Sequence, residues 1–176
     1  RTEEVRKAYP YRVIVPGRTS EGSALLSVYP LRGESSVDSR MAMPGAVADV
    51  HGRSVRFQVA HPVPPKPDSM VTWREELGRL REYAAAHAGE PTIVAGDFNA
   101  SQDHAAFRDL LDTGLQDAAR QTGLSRTPTW PRPAAPPLGA QIDHILLGKR
   151  LVATETSFLD FPGTDHRALI ADVKLY

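Results

Sequence analysis

The stretch Thr92 to Ser101, TIVAGDFNAS, limits what this chain can fold into more than any other. A short apolar run, Ile93 to Ala95, breaks at Gly96 and delivers Asp97 and Asn99 into a turn, and helix-like sequence resumes near His104. In a layered α/β protein, a buried strand that ends in glycine and a carboxylate puts that carboxylate at the rim of the sheet, where ligands bind. Gly-Asp is also an ordinary turn pair, so the weight of this reading comes from the sequence around it.

Upstream, Val55, Phe57 and Val59 alternate with Arg56, Gln58 and Ala60. That period of two marks a strand over Arg53 to His61, forming a hairpin with Met41 to Val50 about His51-Gly52. A proline-rich loop, Pro62 to Pro67, leads to a helix predicted over Met70 to Ala88, capped by Asp68 or Ser69 and ended by Gly89 and Pro91. Trp73, Leu77, Leu80 and Ala84 share one face of it. Strand, long helix, strand is the order of an α/β unit. Nearer the start, Thr2 to Ala8 reads as helix, Tyr11 to Val15 and Ala24 to Val28 as short strands, and Gly33 to Ser39 as loop. Downstream, His104 to Leu111 and Leu115 to Thr122 read as short helices. Thr127 to Ala140 reads as an ordered surface loop rich in proline and alanine, and Gln141 to Leu147, Leu151 to Phe158 and Arg167 to Leu175 as strands. No repeat and no boundary divides the 176 residues, so a single domain over 1–176 is expected.

Two further stretches carry chemistry. Gln141 to Leu147, QIDHILL, sets Asp143 near the start of an apolar strand, and Gly163 to Arg167, GTDHR, places Asp165 and His166 side by side before the last strand. An Asp at a strand start is more often a turn or cap residue, and an Asp-His pair in a loop is usually solvated. In the order GDFN, IDHI, TDH, each bordering a strand, the three resemble the endonuclease/exonuclease/phosphatase superfamily, the Mg²⁺-dependent phosphohydrolases related to deoxyribonuclease I. The likeness continues through Leu26-Ser27, Tyr29-Pro30-Leu31, Val59-Ala60-His61-Pro62 and Thr129-Trp130.

The residue types agree with that resemblance on chemical grounds. Phosphate-ester hydrolysis needs a hard cation held by oxygen, an aligned water, and donors for charge growing on the phosphoryl oxygens. Asp97, Asp143 and Asp165 supply carboxylates, Asn99 an amide donor, and His166 and His61 N–H groups. The resemblance implies that Asp97 orients or deprotonates the attacking water, and that Asn99 holds a phosphate oxygen. It implies that His166 contacts the scissile phosphate with Asp143 hydrogen-bonded behind it, fixing the tautomer of the ring. It also implies that Asp165, with Asp97, ligates Mg²⁺ or Mn²⁺, and that His61 is a second phosphate-facing histidine. His61 could instead simply terminate its strand, and Trp130 is either an anchor for its loop or a ring that contacts substrate. His144 is expected to face away from the site by strand alternation. His51, His87 and His104 read as turn or helix-surface residues.

The fold implied is α/β, a four-layer α/β/β/α sandwich of the deoxyribonuclease I-like type with its first strands missing. Family members begin with a strand carrying Asn and a second ending in Gln-Glu, whose glutamate binds the metal. Here the only early acids, Glu3 and Glu4, sit on helix-like sequence, and the chain begins at Arg1 rather than methionine. An N-terminally truncated portion of a longer product is therefore expected, with weakened metal binding and an exposed sheet edge inviting self-association.

The function implied is divalent-cation-dependent hydrolysis of a phosphate ester by in-line water attack, with this portion itself of low activity. Two alternatives stay open, a DNA or RNA nuclease and an inactive domain that binds phosphate ligands. Lys plus Arg and Asp plus Glu number 21 each, which removes the basic excess expected of a duplex binder and makes nucleic acid the less favoured partner. No cysteine is present, so thiolate metal sites and cysteine nucleophiles are excluded. No run reaches the roughly 18 apolar residues of a membrane span. Forms such as His61-Pro62-Val63-Pro64-Pro65 and Thr129-Trp130-Pro131 are similar to bacterial members, many of them tethered to the membrane ahead of an extracytoplasmic domain. An extracytoplasmic, tethered or secreted parent is expected over a cytoplasmic one.

Overall fold

The computed structural model describes residues 2–132 and 138–176, so part of the loop expected over 127–140 lies outside the described residues. The chain opens with helix α1 (Thr2–Ala8), followed by strands β1 (Tyr11–Val15), β2 (Ser23–Ser27), β3 (Leu31–Ser36), β4 (Pro44–Val50) and β5 (Arg53–Ala60). Helix α2 (Met70–Ala86) leads to β6 (Thr92–Asp97), then α3 (Ala105–Leu111), β7 (Gln116–Asp117) and α4 (Ala118–Gln121). Strands β8 (Asp143–Leu147), β9 (Leu151–Asp160) and β10 (Arg167–Leu175) complete the order. No helix among the described residues is long and apolar enough to cross a membrane.

A six-stranded sheet in the order β3-β4-β5-β6-β8-β7 forms the centre, flanked by two antiparallel pairs, β1–β2 and β9–β10. Within the central sheet, β5 and β6 run parallel, a pairing that needs the helical crossover joining them, and the other pairings are antiparallel. Helix α2 is that crossover. Its inner face carries Trp73, Leu77, Leu80 and Ala84 at helical spacing, joined by Glu76. These side chains form one core with Val94 and Phe98 of the β6 region, Phe107 and Leu110 of α3, and Leu146 of β8. On the opposite face of the sheet, Val55, Leu147 and the partly buried Phe57, Ile93 and Ile145 pack with Leu151, Ala153, Val173 and Leu175 of β9 and β10. The layers are thus helices, central sheet and flanking strand pairs, the mixed α/β architecture of the deoxyribonuclease I-like fold.

Two segments differ from the sequence expectation for physical reasons. Gly33 to Ser39 reads as loop, yet Leu31–Ser36 is the edge strand β3, paired with β4. An edge strand exposed along most of its length has no apolar alternation to betray it, and the register shift between Arg32 and Ser35, with Gly33 at φ +60°, blunts the edge with a bulge. Leu115 to Thr122 reads as one helix but divides into β7 and α4, because Asp117 pairs opposite Leu146 and its carboxylate then caps α4 through the Ala119 N–H. Ser69 occupies the N-cap position of α2 without bonding the helix through its side chain. Its hydroxyl instead donates to the Pro64 carbonyl at 2.6 Å and closes the proline-rich turn. The His51-Gly52 hairpin is as expected, with both residues at positive φ.

The glycine that ends β6 is required by contact as well as by conformation. Gly96 lies at φ +145°, and a Cβ there would stand 2.2 Å from the Ala60 carbonyl oxygen on the parallel neighbour β5. Neither strand can retreat without breaking the ladder that carries the core. Gly96→Ala should therefore destabilise the protein by about 2–4 kcal/mol in urea unfolding. Gly52→Ala, where φ is +79° but nothing lies within 4 Å, should cost only about 1 kcal/mol.

Candidate active site

The chain leaves β6 through a turn that its own side chains close. The Asp97 Oδ1 accepts the Asn99 N–H at 2.8 Å, an Asx turn that puts Asn99 at φ +46°, a conformation asparagine tolerates better than most residues. Phe98 drives the turn down into the core, fully buried, and its N–H donates to the Ile142 carbonyl at 2.8 Å. The Asn99 amide crosses the other way, with Nδ2 donating to the Pro62 carbonyl at 2.9 Å. The sequence offers no signal for that bond, because Pro62 takes part through its backbone alone.

Antiparallel pairing of β6 with β8 sets Asp97 directly opposite Asp143. The entry to β8 is fixed by Thr129, a buried residue whose Oγ1 accepts the N–H groups of Ile142 and Asp143 at 3.0 and 3.1 Å. Alternation turns the neighbouring His144 to the opposite face, as expected. There it is fully buried against Phe98 and Phe107, with Nε2 donating to the Ala100 carbonyl at 3.0 Å and Nδ1 2.6 Å from Asp117. The last member arrives from the loop before β10, where the His166 Nδ1 lies 2.8 Å from the Asp143 Oδ2. Its Nε2 stands 4.0 Å from the Asp97 Oδ2, too far for a direct hydrogen bond and open to an intervening oxygen.

Donor atoms of Asp97, Asp143 and His166 all fall within 4.8 Å of one another, an arrangement able to hold a metal ion. Asp165, expected to share in holding the metal, is not among them. In the bend at residues 165 and 166 the imidazole turns to Asp143, leaving Asp165 outside the cluster. Its exposed carboxylate accepts the Trp130 indole N–H at 3.0 Å, and this bond holds it below the usual carboxylate range. Trp130 is 42% exposed, so its ring is held by Asp165 at the surface rather than packed into the core. His61 follows the end of β5, partly buried, with Nδ1 3.4 Å from the Ser23 hydroxyl. Burial lowers its pKa, opposed by the charge of Asp143.

The electrostatics of the cluster follow from two carboxylates facing each other at partial burial. Asp97 is pushed up to about 6, first by burial and then by the Asp143 charge, against the opposing Asn99 N–H bond. His166 is raised, chiefly by its hydrogen bond to Asp143. Both shifts favour the protonated form; burial leads for Asp97 and the Asp143 hydrogen bond for His166, and a cation would relieve the contribution of the neighbouring negative charge to each.

A family model, that of the endonuclease/exonuclease/phosphatase family, matches residues 2–166. No curated protein matches the sequence at a significant level. Among solved structures, the catalytic domain of human Nocturnin with bound sulfate superposes at a TM-score of 0.76 and 17% identity, covering 99% of this chain and 75% of that one. An endonuclease/exonuclease/phosphatase protein of Beutenbergia cavernae superposes at 0.70 and 20% identity, over 98% of this chain but only 56% of its own length. The mannosyl-6-phosphatase of Bacteroides thetaiotaomicron superposes at 0.66 and 15% identity, over 97% and 80%.

The pKa of Asp97 makes stability depend on pH in the metal-free protein. Between its unfolded value near 4 and its folded value of about 6, the folded state keeps a proton that the unfolded state has lost, so this contribution is lost as pH rises through that window. The raised His166 adds a contribution present below its ordinary value and lost as pH rises through its folded value. In EDTA, Asp97→Asn should therefore gain stability over the wild type as pH rises from 4 to 7, reaching at most about 3 kcal/mol in urea unfolding. A constant difference across that range would contradict the assignment.

Proposed function

The chain belongs to the endonuclease/exonuclease/phosphatase family, whose members are hydrolases of phosphate esters, and we propose that it hydrolyses a small phosphate ester by in-line attack of water, with Mg²⁺ or Mn²⁺ bound at the Asp97–Asp143–His166 cluster. The observation that carries this reading is the convergence of three donor groups, from the ends of two neighbouring strands and from one loop, on a single point at the rim of the sheet. A hard cation prefers oxygen, so the Asp97 and Asp143 carboxylates would hold it, leaving the His166 Nε2 for the substrate. When bound, the cation supplies positive charge to the phosphoryl oxygens and lowers the cost of the two facing carboxylates.

The remaining roles belong to the chain itself. Asp97, with its free oxygen turned toward His166, orients the attacking water and accepts its proton. Asp143 holds the Nδ1–H of His166, so that Nε2–H is aimed outward as a donor to the phosphoryl oxygen. Asn99 uses one amide hydrogen on Pro62 and has the other left for a second phosphoryl oxygen. His61, on the neighbouring strand end, supplies a further donor. A small ester is preferred over duplex DNA because 21 acidic residues match 21 basic ones.

The test uses p-nitrophenyl phosphate, bis(p-nitrophenyl) phosphate and plasmid DNA with millimolar Mg²⁺ or Mn²⁺. Turnover of an aryl ester should be abolished by EDTA, and His166→Ala should lower kcat/KM by roughly 10²–10³-fold. Mg²⁺ should also raise Tm in the wild type and not in Asp97→Asn. Metal-independent turnover, or full activity in His166→Ala, would overturn the mechanism. Cleavage of plasmid alone would replace the substrate class with nucleic acid.

A further inference from the structure

Helix α2 buries an acid on a face that packing alone would fill with leucine. Glu76 is fully buried beside Trp73, Leu77 and Leu80. Both of its oxygens accept backbone N–H groups, Oε1 from Arg40 and Oε2 from Val63, each at 2.7 Å. Burying a carboxylate is costly unless it is well hydrogen-bonded, so this residue type at this place calls for a reason in what it holds.

What it holds is the segment that follows β5. Residues 61–66 read His-Pro-Val-Pro-Pro-Lys, and prolines carry no N–H. Val63 therefore owns the single backbone donor between His61 and Lys66, and Glu76 takes it. The preceding residue, Pro62, offers its carbonyl to the Asn99 Nδ2, and the Asn99 N–H in turn closes on Asp97. A continuous path of hydrogen bonds and single peptide links thus runs from α2 through Val63 and Pro62 to the turn at the centre of the site. The other oxygen holds Arg40 in the segment leading to β4, where the Ala42 N–H donates to the Glu21 carbonyl, two residues before the Ser23 that meets His61. Both walls beside His61 are tied to one carboxylate.

We infer that Glu76 is a positioning residue of the site, setting the place of Pro62 and His61 and through Pro62 the orientation of the Asn99 amide. Its effect on turnover rests on the hydrolytic reading above; its effect on Asn99 does not. Glutamine at this position has the same volume but only one acceptor, and it turns an NH₂ group toward one of the two backbone donors.

The experiment compares Glu76→Gln with Leu80→Ala, a core truncation on the same helix face that removes apolar packing but no hydrogen bond of this path. At temperatures where both are folded, Glu76→Gln should lower kcat for the aryl ester at least 10-fold with KM changed by less than 3-fold, while Leu80→Ala keeps kcat within 2-fold of the wild type. The Asn99 side-chain amide resonances should shift in Glu76→Gln and stay in place in Leu80→Ala. In the wild type, the Val63 amide should exchange its hydrogen as slowly as the core strands. Rapid exchange at Val63, unmoved Asn99 resonances, or equal kcat losses in the two variants would each overturn the proposal. Absence of turnover in the wild type would overturn the hydrolytic reading alone, since the exchange and resonance measurements still decide the link from Glu76 to Asn99.

Discussion

Asp97 and Asp143 are cross-strand partners at the ends of β6 and β8, and like charges set directly opposite on adjacent strands repel. Nothing local favours that pairing. It persists because the rest of both strands is committed elsewhere, with Val94 and Leu146 buried against the helices and Ile93, Ile145 and Leu147 against the β9–β10 pair. A slip of one residue would exchange the two faces of a strand buried on both sides. Burial raises the proton affinity of Asp97 most and the Asp143 charge adds to it, and that added part is what a bound cation would remove.

Around this repulsive pair the structure spends its polar bonds on holding backbone rather than on neutralising charge. Thr129 grips the entry to β8, and His144, beneath the sheet, bonds the carbonyl of Ala100 just past the β6 turn. Pro62 receives the Asn99 amide from the side of β5. The site is therefore built on strand ends fixed from several directions, the support that a preorganised set of donors needs to act without rearranging. His166 is the exception. It comes from a loop, and among the described residues its ring is hydrogen-bonded by Asp143 at 2.8 Å.

Much of this was legible in the residues. The glycine before Asp97, the alternation through Arg53 to Ala60 and the spacing of four, three and four along α2 predict the central β-α-β unit and the placement of Asp97 at its rim. The order of GDFN, IDHI and TDH singles out the acids and histidines that the fold then gathers. Strand β3 was not legible, because an exposed edge has no core face to impose a period of two. Neither were the roles of Thr129, Pro62 and Glu76, since each acts on main-chain groups that every sequence possesses.

The separation between what the chain states and what folding decides runs through Asp165 and Asp143. By sequence, Asp165 stands next to His166 and Asp143 lies 23 residues away, and the family resemblance gives the imidazole to Asp143 and the metal to Asp165. Tertiary structure keeps the first pairing and, among the described residues, gathers Asp143 rather than Asp165 with Asp97 and His166. Asp165 is held by the Trp130 indole, while strand pairing sets Asp143 opposite Asp97 and within reach of the His166 ring. The sequence by itself determined which residue types stand at the ends of which strands, because burial and turn chemistry act over a few residues. Only the tertiary structure decided which of them face the same point, because direction depends on register and on the packing that fixes it.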